Sequence, residues 1–246
     1  MNPPNQEAER LRSQLDRANE ETFQIVMGAV HNLRSEQRGI CASSELLQDL
    51  LGDSLPPEAQ PILSRLMASA AKTTAILAAI SQYASAISSV SYRCHQVEVS
   101  AIVRQAIAKL EPEIRACGAT VSFAELPVVW GDRDRLTELF LHLIDNAIKY
   151  HGRLPVRVDI EASKEADAEG RDQHLFLVRD HGVGIDPKYH RELFRPFRRL
   201  QGPAIPGVGL GLVICRRIAE SHGGQIWVES DGSKGTTVFL TLPASE

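Results

Sequence analysis

The chain has 246 residues, 43% hydrophobic and 24% charged, with a formal net charge of −4. That composition is ordinary for a globular protein and excludes a wholly disordered chain. The acidic balance excludes a basic nucleic-acid coat, so no nucleic-acid partner is expected. No run of about 18 uncharged apolar residues is read, and Met1 to Glu21 is polar. Neither an integral membrane segment nor a signal peptide is therefore expected. Cys41, Cys94, Cys117 and Cys215 lack paired ligand spacing and read as thiols of a reducing, cytoplasmic compartment.

These averages hide a split. Among 7 Phe, 4 Tyr and 2 Trp, only Phe23 and Tyr83 precede residue 92. Among 17 glycines, only Gly28, Gly39 and Gly52 do. Two architectures joined near residue 90 are expected.

The first reads as helical. Leu11, Leu15, Ala18, Thr22, Ile25 and Ala29 fall at alternating steps of four and three, a heptad seam, so residues 1–22 read as a coiled-coil lead-in. The pattern continues through Leu33, Ile40, Leu46, Leu47, Leu50 and Leu51 and stops at Gly52-Asp53-Ser54. Pro56 and Pro57 suit the first turn of a second helix. There Ile62, Leu66, Ser69, Thr73, Ile76, Ile80 and Tyr83 repeat the spacing. Between Glu58 and Glu98 there is no acidic residue. A long helix so poor in charge needs a second partner, and pairing two hairpins into a four-helix bundle supplies it. A homodimer is expected.

The second architecture reads as α/β. Ser100 is the expected cap of a helix to about 116, followed by strands at 119–123 and 127–130. Asp132 caps a helix carrying Leu136, Leu139, Phe140, Leu143, Ile144, Ala147 and Ile148. Strands at 155–162 and 174–180, a polar loop at 186–207 and a helix at 209–222 follow. Strands 224–230 and 235–242 close a mixed sheet with helices on one face.

Three segments carry chemistry. Asp145 to Tyr150 ends a helix with Asn146 and Lys149 on one face, where an amide oxygen can ligate Mg²⁺ and an ammonium can meet phosphate. Taken alone, a helix C-cap with an exposed lysine is the better reading of this segment. Asp180-His181-Gly182-Val183-Gly184-Ile185 follows a strand. Its glycines admit a flat ligand, and its carboxylate can accept from an amino group such as that of adenine. A plain turn explains it equally well. Gly207-Val208-Gly209-Leu210-Gly211-Leu212 enters a helix whose free N–H groups favour phosphate. Its spacing is neither a dinucleotide fingerprint nor a P-loop.

Together and in this order, the segments resemble the sensor histidine kinases. Asp132 to Pro243 resembles their ATP-binding domain, of the Bergerat or GHKL fold shared with gyrase, a heat-shock chaperone and a mismatch-repair protein. Leu143 to Tyr150 is similar to the N box, Asp180 to Ile185 to the first glycine box, Phe194-Arg195-Pro196-Phe197 to the aromatic lid box, and Gly207 to Leu212 to the second glycine box. His222-Gly223-Gly224 and Gly235-Thr236-Thr237 resemble the closing elements, and Val30 to Arg34 the phosphoacceptor box. Arg38, Trp130-Gly131-Asp132 and Ile226 to Ser230 resemble the phytochrome-like, soluble-type subgroup.

The resemblance implies a dimerisation and phosphotransfer hairpin at 23–91 and an ATP-binding domain at 92–246. His31 would be phosphorylated by ATP and pass the phosphoryl group to a response-regulator receiver domain. Asn146 would ligate Mg²⁺, Lys149 would meet phosphate, and Tyr150 would pack beside the nucleotide. Asp180, supported by Thr236, would bind the adenine amino group. Gly182 and Gly184 would make room for the base, and Gly207, Gly209 and Gly211 would bind or release phosphates. Ile185, Phe197 and Leu210 join this set from within their boxes. The input would come from a separate sensor protein, or the chain is a fragment.

The sequence departs from the pattern in places. Asn32 replaces the usual acidic residue after the phosphoacceptor, and Glu36 replaces the usual Pro. Ser35 holds the phosphatase-linked position. His142 replaces the earlier N-box Asn and either weakens Mg²⁺ coordination or supplies its own nitrogen. Two alternatives follow: a degenerate kinase acting as an ATP-binding regulatory or phosphatase-type module, and a serine-directed kinase of the anti-sigma type, whose members lack the hairpin.

Overall fold

The computed structural model describes residues 3–87, 93–152, 155–167, 169–200, 205 and 207–245. The chain divides into two compact units, residues 1–90 and 91–246. The junction expected near residue 90 lies outside the described residues.

The first unit is a hairpin of α1 (Pro3–Leu51) and α2 (Gln60–Ile87). Gly52, at φ +42°, ends α1 and begins a short 3-10 turn, Gly52–Ser54. A left-handed residue suits glycine there because it carries no Cβ.

The helices meet through a heptad that differs from the seam read in the sequence. Val30, Gln37 and Ser44 are buried on α1, and Leu63, Ala70, Leu77 and Ala84 on α2. Small residues at Ala70 and Ala84 let the backbones approach. Gln37 Nε2 donates to the Ala70 carbonyl at 2.7 Å, a buried polar contact that fixes register. Ile25, Leu33, Ile40, Leu47, Ile62 and Leu66 stay exposed. The apolar seam read from the sequence is therefore an outer face of the hairpin.

The expectation of no membrane-length segment needs correction. Helix α2 is long and apolar enough to cross a membrane by length and composition. In the hairpin its buried stripe packs on α1.

The second unit begins with β1 (His95–Glu98), α3 (Val99–Lys109), α4 (Glu111–Cys117), β2 (Thr120–Phe123) and β3 (Val128–Gly131). Then come α5 (Arg133–Lys149), β4 (Arg157–Ala166), β5 (Asp172–Asp180), α6 (Gly211–Ser221), β6 (Ile226–Glu229) and β7 (Thr237–Pro243). Five strands form a mixed sheet in the order β2-β4-β5-β7-β6, with only β2 and β4 parallel. Helices α5 and α6 pack on it, and α3 packs on α5. Val158, Ile160, Phe176, Val178, Leu240 and Leu242 are buried from the sheet. Phe140 of α5 meets Phe176 edge to face at 5.8 Å.

Three local readings change. The helix expected to about 116 breaks after Lys109, and Pro112 sits in the first turn of α4. Proline has no N–H for the preceding turn, so it starts a helix rather than continuing one. Ser100 does not cap. Its hydroxyl accepts from Leu126 N–H at 2.9 Å inside the core. The strand expected at 127–130 pairs with the unforeseen β1, outside the main sheet.

His222 ties the unit together. Its Nδ1 donates to the Ile218 carbonyl at 2.7 Å, and its Nε2 accepts the Asp132 N–H at 2.9 Å. Asp132 Oδ1 then caps α5 by accepting from Asp134 and Arg135 N–H. Gly131 leaves the needed space, since a Cβ there would lie 2.8 Å from the His222 ring. Burial, outweighing the hydrogen bond to Ile218, lowers the His222 pKa below its ordinary value. Above pH about 6.5 both folded and unfolded states are neutral. As pH falls below that, the unfolded chain takes a proton that the folded site resists, and stability is lost. The melting temperature of the chain is expected to fall between pH 7 and pH 5, less steeply in His222→Gln. Identical slopes in the two proteins would refute this.

Candidate active site

The helix α5 presents one face to the core and a second, half-buried face toward the start of α6. Glu138, His142, Asp145, Asn146 and Lys149 lie on the half-buried side. Lys149 Nζ is paired with Asp145 one turn back. Burial raises the Glu138 pKa against the opposing Arg135 and Lys109 charges.

His142 and Asn146 converge on Gly211, the first residue of α6. A Cβ built on Gly211 would lie 3.5 Å from His142 Nδ1 and 3.6 Å from the Asn146 amide nitrogen. Helix α6 has no side-chain cap at Leu210, so its first N–H groups stay available to an anion. The Leu210 side chain is buried.

The end of β5 builds a second cluster. Gly182 N–H and Thr236 N–H both donate to Asp180 Oδ1, at 2.8 and 3.1 Å. Both of these hydrogen bonds fall on Oδ1 rather than Oδ2. Burial raises the Asp180 pKa, opposed by these two hydrogen bonds. The glycines here are dictated by space. A Cβ on Gly182 would lie 2.3 Å from the Tyr150 carbonyl oxygen, and one on Gly235 2.1 Å from the Asp180 carbonyl oxygen. Gly184 has φ +72°, and Ile185 N–H donates to Ser230 Oγ at 2.8 Å. Ser230 in turn donates to the Gly235 carbonyl at 2.6 Å. Ser230 thus locks the two loops together. Neither Ser230 nor the Tyr150 carbonyl carries a signal of this role in the sequence.

In the loop before α6, Phe197 has φ +60°, a conformation unfavourable for a bulky residue. Its N–H donates to the Gly209 carbonyl at 3.0 Å, and its side chain is exposed. Gly209, at φ +80°, has no room for a Cβ against Arg198. Gly207, at φ +150°, stands in open space.

In the hairpin, His31, Asn32 and Ser35 are exposed on α1. His31 Nδ1 lies 3.5 Å from Asn32 Oδ1, at the long limit of a hydrogen bond. An amide oxygen only accepts, so this contact is a hydrogen bond only in the tautomer that carries its hydrogen on Nδ1.

Residues 131–246 match the family model described as histidine kinase-, DNA gyrase B- and HSP90-like ATPase. The methanogenesis regulatory histidine kinase FilI of Methanothrix harundinacea is 42% identical over 143 residues, covering 58% of this chain and 16% of FilI. Residues 131–246 carry the ATPase domain of this family, and the chain is similar to sensor histidine kinases. The phytochrome-like protein Cph1 of Synechocystis sp. is 28% identical over 239 residues, 97% of this chain. This chain spans 31% of Cph1's length. The structure of the histidine kinase ThkA in complex with response regulator TrrA has the same fold, with a TM-score of 0.62 at 20% identity over 95% of this chain and 66% of that one. A hairpin followed by the mixed-sheet ATPase domain is the architecture expected from the sequence. The degenerate alternative draws no support from these relatives.

Proposed function

We propose that this chain is a dimeric histidine protein kinase that transfers the γ-phosphoryl group of ATP to His31 and then to an aspartate of a response-regulator receiver domain. The observation that carries the reading is an exposed imidazole with Nδ1 turned to an acceptor, in a chain with an ATPase domain of this family. Nε2 of His31 attacks the γ-phosphorus, the bond to the β–γ bridging oxygen breaks, and ADP leaves. Asp180 Oδ2 accepts from the adenine amino group, and the glycines beside it admit the ring. Lys149 and the N–H groups of α6 hold phosphates.

A divalent ion such as Mg²⁺ would neutralise phosphate charge during transfer. Asn146 and His142 fit that need. The Asn146 amide, turned to present its oxygen in place of the nitrogen that now faces Gly211, and the His142 imidazole nitrogen would hold the ion beside the start of α6.

The test is incubation of the protein with γ-labelled ATP and Mg²⁺. Acid-labile, base-stable label is expected on the wild type and none on His31→Ala. Equal label on both would remove His31 from the reaction.

The exposed stripe of Ile25, Leu33, Ile40 and Leu47 on α1, with Ile62 and Leu66 on α2, supports a homodimer. The double variant Ile40→Glu with Leu47→Glu is expected to sediment as a monomer while keeping its helix content. A variant that remains dimeric would exclude this face. The free thiols Cys41, Cys94, Cys117 and Cys215 fit a reducing, cytoplasmic setting.

A further inference from the structure

His142 differs from the other well-buried histidine of its unit. Both nitrogens of His222 are engaged by the fold. His142 Nε2 is buried with no hydrogen-bond partner among the described residues. With Nε2 closed in, the ring reaches a partner through Nδ1. That atom is turned to Gly211, where the Asn146 amide also points. An imidazole lone pair and an amide thus flank the start of the helix assigned to phosphate.

We propose that His142 is a direct nitrogen ligand of the nucleotide-bound divalent ion, and that this nitrogen shifts the site's preference from Mg²⁺ toward Mn²⁺ and Co²⁺. This inference rests on the reading of α5 and α6 as the nucleotide site. Mg²⁺ is a hard ion that favours oxygen ligands and gives up water reluctantly. Imidazole is a softer donor, and affinity for nitrogen-bearing sites rises from Mn²⁺ to Co²⁺. Asparagine at this position would offer only oxygen and return the preference toward Mg²⁺.

Two measurements on the full chain test this. The first is titration of a fluorescent ATP analogue in Mg²⁺, Mn²⁺ or Co²⁺. Affinity is expected to be about tenfold higher with Mn²⁺ or Co²⁺ than with Mg²⁺. That advantage is expected to disappear in His142→Asn. An equal advantage in the variant overturns the proposal. The second is pulsed electron paramagnetic resonance of the Mn²⁺–ADP complex, using protein labelled with ¹⁵N-histidine. Coupling of Mn²⁺ to ¹⁵N is expected in the wild type, a readout independent of whether the variant folds. Nucleotide binding without that coupling overturns the ligand role and leaves the nucleotide site standing. No nucleotide binding with any of the three ions overturns both.

Discussion

Asn32→Asp is expected to raise the initial rate of His31 phosphorylation by about 10²-fold, the lower end of what a positioned base contributes. The argument starts from one contact. Asn32 Oδ1 lies 3.5 Å from His31 Nδ1, where it can accept from Nδ1 when Nε2 is the free nitrogen. An amide, however, carries no charge. As Nε2 forms its bond to phosphorus, positive charge grows on the ring and the Nδ1 hydrogen becomes more acidic. A carboxylate would stabilise that charge and draw the hydrogen, and an amide does neither fully. Aspartate is nearly the same shape, and position 32 is exposed, so the substitution creates no buried charge. ATP affinity is expected to be unchanged, because the groups assigned to the base and phosphates belong to the other unit. The measurement is label incorporation against time at saturating ATP, with His31→Ala as the blank. An unchanged or slower rate in Asn32→Asp would remove the amide as the limiting feature.

What the sequence revealed depended on how directly a residue type reports a backbone need. Gly182, Gly184, Gly209 and Gly235 were legible because the chain has no room for a Cβ there, or needs a positive φ. Asp132 was legible as a cap because a short carboxylate beside a helix start has one obvious use. Ser100 offered the same signal and misled, since a buried hydroxyl can serve a distant loop equally well. The hairpin seam misled for another reason. Periodicity finds the most apolar stripe, and here that stripe lies outside, while the inner stripe is built from Ala70, Ala84, Gln37 and Ser44. Small and polar residues carry a weak hydrophobic signal even when they are the best packed. Ser230 and the Tyr150 carbonyl were hidden because they act through contacts between loops far apart in sequence.

The Asp180 cluster yields the other large effect. Asp180→Asn is expected to weaken ATP binding by at least about 10²-fold while leaving the melting temperature nearly unchanged. Two backbone N–H groups fix Oδ1 as an acceptor, and an asparagine keeps that bond by placing its own oxygen there. Its NH₂ group must then occupy the place of Oδ2. A site that accepted from the adenine amino group would instead present a donor to it. Two donors face each other, and the mismatch is buried, so the loss is larger than that of one exposed hydrogen bond. Guanine carries a carbonyl oxygen where adenine carries the amino group, so the ratio of ATP to GTP affinity is expected to fall in the variant. Gly235→Ala provides the contrast. Its Cβ would meet the Asp180 carbonyl oxygen at 2.1 Å, at a backbone φ of +92°, so the loop and the binding are expected to fail together, with a lowered melting temperature. Calorimetry of ATP and GTP binding beside thermal denaturation separates the two variants. If Asp180→Asn binds ATP as the wild type does, the carboxylate's role is confined to holding the loop.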